Sequence, residues 1–164
     1  MEENEKLVRE IRELVSSRWT LGPTHGVGHW DRVYANGRQL LTDGVNPLVV
    51  GLFAYLHDCC REDDGFDYEH GPRAAAWIAT LRDNYLKDLS DQEFTMLQEA
   101  CRLHTTTHRT GNPTVDACFD SDRLDLWRVG IRPDPARMAT EKGKEIAMHT
   151  DYDEIFHDLG IIEI

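Results

Sequence analysis

Eight histidines occur in the chain, and six of them fall between His25 and His108. Several stand, with aspartates, where a helical pattern expects apolar residues. Asp122 is the most informative. Val115, Cys118, Phe119, Leu126 and Val129 form an apolar stripe at helical spacing, and Asp122 lies in its middle. A lone buried carboxylate costs several kcal/mol or is forced to stay protonated. Coordination to a cation removes that cost; the alternative is an ion pair with Arg123 or Arg102. His104 follows Phe94, Leu97 and Cys101 at spacings of three and four, so it points inward. It reads either as a ligand or as a core histidine bonded to a backbone carbonyl.

His57 and Asp58 close the most apolar segment of the chain. Neighbouring helical residues diverge by about 100° around the axis, yet both can reach one ion lying beside the helix. His25 and His29 are four apart, a spacing that can hold one metal on one helical face. Gly26 and Gly28 weaken the helix there, so His29, in phase with Val33 and Leu40, is the expected ligand. His25 is left for a contact behind a ligand or to substrate. His70, before Gly71-Pro72, is either a helix-start residue or a further ligand. His108, His149 and His157 read as surface residues. Two imidazoles and two carboxylates form a mixed nitrogen and oxygen donor set. It suits Mn, Fe, Co, Ni or Zn better than Ca or a thiolate-selected metal.

The elements that must position these groups are helices. Period-2 alternation is sustained nowhere, so an all-α fold is expected, a compact multi-helix bundle with the metal site between central helices. Helices are predicted over residues 2–19, 25–41, 48–60, 72–85, 91–107, 114–129 and 135–149, with a last short turn or helix in the acidic tail. Asn46-Pro47 opens the third as N-cap and first-turn proline. That helix is apolar on nearly every face and is therefore expected to be central. Residues 61–69 form an acidic loop.

The 164 residues suit a single domain. Thirty acidic against 18 basic residues, a net charge of -12, argue against broad nucleic-acid binding, which needs a basic surface. They do not exclude a phosphorylated small molecule, because a bound cation inverts the local charge. The cysteines, Cys59, Cys60, Cys101 and Cys118, form no CxxC pair and read as buried, reduced, helix-facing thiols. No signal peptide or membrane span is expected. The cytoplasm is the expected compartment, and a homodimer is left open.

In order along the chain, His29, His57-Asp58 and Asp122 resemble the HD superfamily of metal-dependent phosphohydrolases. The segments 25–33, 52–58, 69–71 with the alanine-rich stretch after it, and 120–125 are each similar to that family's conserved contexts, and the likeness covers about residues 20 to 149. The resemblance implies a metal held by His29, His57, Asp58 and Asp122, with His70 and His104 placed for a second metal. Thr105 to Thr107 stand where the cyclic-dinucleotide branch carries paired histidines, so hydrolysis of such dinucleotides is not expected. One metal is the primary expectation. It would activate water and polarise a phosphoryl oxygen of a small phosphomonoester or phosphodiester, with nucleotides the first class to test. Asp58 is expected to orient the nucleophile, Glu62 to act as general base or remain a solvated charge, Arg61 to clamp a phosphate, and Asp125 to support a ligand from behind. The other reading is a non-catalytic metal- or nucleotide-binding module.

Overall fold

In the computed structural model, which describes residues 2–161, the capping chemistry sets where helices begin. The Asn46 carboxamide oxygen accepts from the backbone N–H groups of Leu48 and Val49 at 3.0 and 3.2 Å, with Pro47 in the first turn. Asn112 and Pro113 repeat this device. Ser90 and Glu93 form a reciprocal capping box. Eight α-helices result among the described residues, without strands: α1 Glu2–Arg18, α2 Val27–Gln39, α3 Pro47–Leu56, α4 His70–Ala79, α5 Asp91–Leu103, α6 Pro113–Arg123, α7 Glu141–His149 and α8 Tyr152–Asp158. Two single 3-10 turns, Leu126–Val129 and Pro135–Arg137, join α6 to α7.

Every residue of α3 from Leu48 to Leu56 is buried. An element with no polar face cannot meet water, and α1, α2, α5 and α6 surround it. α4 packs on α5, and α7 on α6. One continuous hydrophobic core runs through the bundle. Two aspartates, the half-exposed Asp31 and the buried Asp120, lock its layers. Both Asp31 oxygens accept from Arg12 at 2.9 Å, and the Tyr55 hydroxyl donates to Asp31 at 2.7 Å, tying α1, α2 and α3. The Arg12 hydrogen bonds hold the Asp31 carboxyl below its usual range. Asp120 accepts from the Ala139 and Thr140 amides at 2.8 Å and from the Thr140 hydroxyl at 2.7 Å, fixing α7 to α6.

The helices are shorter than their apolar periodicity suggests, because side chains take over the last carbonyls. α3 stops at Leu56 rather than 60: His57 Nδ1 occupies the Phe53 and Ala54 carbonyls, and the Cys59 thiol donates to Leu56. α5 stops at Leu103 rather than 107, with His104 Nδ1 on the Cys101 carbonyl. α4 starts at His70 and ends at Ala79; beyond it Arg82 donates to the carbonyls of Leu86 and Leu89, holding residues 80–89 in turns. α6 ends at Arg123, so the expected stripe breaks, and Val129 is exposed. α7 is separate from the 3-10 turn at 135–137, and its cap is Thr140. Cys59 and Cys60 are half-buried on the turn after α3, while Cys101 and Cys118 are buried. No described helix is long and apolar enough to cross a membrane.

α4 approaches α5 so closely at Gly71 that a β-carbon there would lie 2.6 Å from the Cys101 carbonyl oxygen and 3.2 Å from that of Arg102. Neither backbone atom can yield without moving a helix. Gly71→Ala is expected to cost about 1–3 kcal/mol through overpacking, seen as a fall of several degrees in the thermal unfolding midpoint.

Candidate metal centre

The side chains gathered at the centre come from five helices or their ends. His29 lies in the first turns of α2, His57 caps α3, and Asp58 follows it. His70 opens α4, His104 caps α5, and Asp122 lies in the last turn of α6. His29, His57, Asp58, His70 and His104 are buried. Asp122, expected to be fully buried, keeps 22% of its side chain exposed and forms the open side of the group.

All four histidines have their Nδ1 engaged. His57, His70 and His104 place it on main-chain carbonyls: Phe53 and Ala54 at 3.0 Å, Asp67 at 2.6 Å and Cys101 at 2.7 Å. His29 places it 2.6 Å from the Asp125 carboxylate. Carbonyl and carboxylate oxygens only accept, so each Nδ1 carries the hydrogen and donates. Each Nε2 is thereby aimed at the others and at the carboxylates.

The Nε2 atoms form two groups. In the first, His29 and His57 lie 3.2 Å apart. Asp58 Oδ2 is 3.3 and 3.4 Å from them, and Asp122 Oδ1 is 3.2 and 3.4 Å from them. In the second, His70 and His104 lie 3.0 Å apart, and Asp58 Oδ1 is 3.1 and 3.8 Å from them. Asp58 thus offers one oxygen to each group. Ligands about 2.1 Å from one ion lie roughly 3.0–3.4 Å from one another in octahedral or tetrahedral arrangements. The first group matches this spacing in its His–His distance and in every His–Asp distance, and the second does so except between His104 and Asp58.

The electrostatics require positive charge here. Two deprotonated Nε2 lone pairs facing each other beside carboxylates repel unless a proton or a cation lies between them. Burial disfavours a charged His29, but hydrogen bonding to Asp122, Asp125 and Asp58 outweighs it and raises the group to about 9. His57 is raised to about 10 against its burial by the charges of Asp58 and Asp122. Burial alone would push the Asp58 and Asp122 carboxyls up; His57 and its neighbours reverse this and hold both well below their ordinary range. With no metal bound, protons supply that charge. The same donor atoms can hold metal ions, as His29, His57 and Asp122 in one group and Asp58, His70 and His104 in the other.

Asp125 is fully buried and accepts from Arg32 Nε at 2.9 Å while orienting His29. Arg61 Nε donates to Asp58 Oδ1 at 3.4 Å. Glu62 is not brought to the centre: its side chain is 76% exposed and lies 3.7 Å from Arg73. His25 sits on the turn before α2 rather than on the His29 face. Its Nδ1 is 3.6 Å from Asp58 Oδ2 and 3.4 Å from Arg128, and its Nε2 lies 3.1 Å from the Asp64 carbonyl. Arg128 was not legible as a neighbour of the centre, because it reaches His25 from beyond the end of α6. The only sequence signal for it was a cation six residues past Asp122.

Metal content should divide along these groups. Asp58→Ala, which removes an oxygen from both, is expected to lose all bound metal. His104→Ala is expected to keep the ion of the His29 group and lose the other. Elemental analysis of protein purified without chelators checks this; equal loss in both variants would mean that the groups are not separate.

Compared with known proteins, the chain matches no family model, no curated protein and no solved structure.

Proposed function

We propose that the protein is a metal-dependent hydrolase of small phosphoesters, holding divalent transition metal at the His29–His57–Asp58–Asp122 group and, through Asp58, at His70–His104. The observation that carries this reading is Asp58, whose two oxygens face two separate histidine pairs, all four Nε2 atoms being directed inward. The order of these residues along the chain, and its likeness to the HD superfamily, points the same way. A bound metal of this kind supplies Lewis acidity toward a phosphoryl oxygen and lowers the pKa of water.

The chain's own residues supply orientation and charge. Asp125 fixes the His29 ring and its tautomer. Arg61, held by Asp58 and by the Asp63 and Gly65 carbonyls, is the cation placed to clamp a phosphate oxygen. Asp58, expected to orient the nucleophile, has both oxygens on the histidine pairs and Arg61, so this role passes to Asp122, the most exposed of the ligands. Glu62 stands outside this set, and the general-base role considered for it has no support from its ion pair with Arg73.

The test is a panel of phosphomonoesters and phosphodiesters, nucleotides included, assayed with Mn, Fe, Co, Ni and Zn. Asp58→Ala is expected to abolish both metal binding and turnover, and His57→Ala to lose the ion of the His29 group and turnover with it. Turnover by a metal-free variant, or metal-loaded wild-type protein inert across the panel, would sink the proposal. Glu62→Gln separates the general-base reading of Glu62 from that of a solvated charge. Loss of a general base costs typically 10²–10⁴-fold, whereas this variant is expected to stay within about tenfold of wild type in kcat.

A further inference from the structure

The loop between α3 and α4 rims the centre and is tied to it. Arg61 bridges Asp58 to the carbonyls of Asp63 and Gly65. The Asp64 carbonyl meets His25, and its carboxylate accepts the Gly22 amide at 2.8 Å. The Asp67 carbonyl receives the His70 Nδ1–H. From this fixed rim Phe66 and Tyr68 project with 87% and 78% of their surface exposed, more than any other large hydrophobic residue described. Their rings lie nearly parallel, 15° apart in tilt with centroids 6.0 Å apart. Large aromatic surface left in water beside a polar site marks a place where something binds.

The surroundings select the occupant. Glu62, Asp63, Asp64 and Glu69 are exposed on the same loop, while Asp67 is turned in and paired with Arg73. Carboxylates repel a phosphate, so the anionic end of a ligand belongs at the centre and not on the rim. They accept hydrogen bonds from amino groups, and flat aromatic faces favour a flat ring. We infer that Phe66 and Tyr68 are a specificity-determining pair that stacks the amino-bearing aromatic base of a nucleotide whose phosphate lies at the Asp58 centre. The inference rests on the phosphohydrolase reading for the position of the phosphate and adds the base to it.

Calorimetric binding to metal-loaded protein tests it with the non-hydrolysable 5′-phosphonates of adenosine and of ribose, and with phosphocholine. Stacking on aromatic side chains has the strength to make wild-type protein prefer the adenosine compound over the ribose compound by about 5- to 100-fold. In Phe66→Ala/Tyr68→Ala that preference is expected to collapse toward unity, with metal content and affinity for the ribose compound unchanged. Phe66→Leu/Tyr68→Leu keeps apolar bulk without flat faces and is expected to lose the preference as well. A preference that survives both variants overturns the inference, as does tighter binding of phosphocholine, which would assign the rings to a quaternary ammonium group. The two readings fail separately. Phosphoester turnover with an unaltered preference removes the base site alone; an intact, ring-dependent preference in a protein inert toward all phosphoesters removes the hydrolase alone.

Discussion

Four imidazole Nε2 atoms and three carboxylate oxygens cannot share a buried space without positive charge among them, and the bundle is built to hold them there. The fixed side of each ring is its Nδ1–H, donated to a main-chain carbonyl in three cases and to Asp125 in the fourth. For His57 and His104 those bonds go to carbonyls in the last turn of their own helices, so the feature that stops α3 and α5 also aims these two rings. Helix termination and site formation are one event here. The wholly apolar α3 makes it work, because a helix with no wet face must sit at the centre and deliver His57 and Asp58 to the meeting point of α2, α4, α5 and α6.

That explains which parts of the molecule were legible in the sequence. Asp122 and His104 betrayed themselves by interrupting apolar stripes, and His57-Asp58 by ending an apolar run. The all-helical class followed from periodicity alone. Helix ends were misjudged because periodicity records which face is buried but not which carbonyl a side chain will capture. Residues 104–107 and 57–60 continue the right pattern and still leave the helix. Asp120 and Asp116 were also missed. Both are buried on α6, but they serve loops rather than the centre: Asp120 the Ala139–Thr140 junction, and Asp116 the backbone of Thr110 and Gly111. A carboxylate that accepts amides from a loop has no fixed spacing from its donors. The same holds for the acidic loop, where Phe66 and Tyr68 stand among charges with no periodicity that would mark their exposure or their parallel setting.

Charge works at two scales. The chain as a whole carries -12, which repels anions from most of its surface. At the centre, inward imidazoles and Arg61 surround carboxylates that are themselves held ionised. A cation placed there would give that spot a charge that attracts anions. An acidic exterior around such a spot favours ligands that present a phosphate to the centre and something neutral or amino-bearing to the rim. The composition that argues against nucleic acid is thus compatible with a small phosphorylated molecule.

The two donor groups are not equivalent, and the difference bears on how such a centre divides its work. The His29 group has four donor atoms at a consistent spacing, and Asp125 and Arg32 brace its His29 from behind. The other group has three donors, one of them, Asp58 Oδ1, shared with Arg61 and set 3.8 Å from His104. Closed donor sets favour tight, structural retention, whereas sets with vacant positions leave room for water or substrate. The first group is open only at Asp122, which lines the exposed side. The second has one protein donor fewer and lies beside Arg61, which reaches Asp58. On this geometry the His29 group is the more firmly braced of the two, and the His70–His104 group is the one whose shared carboxylate also meets a cation, Arg61.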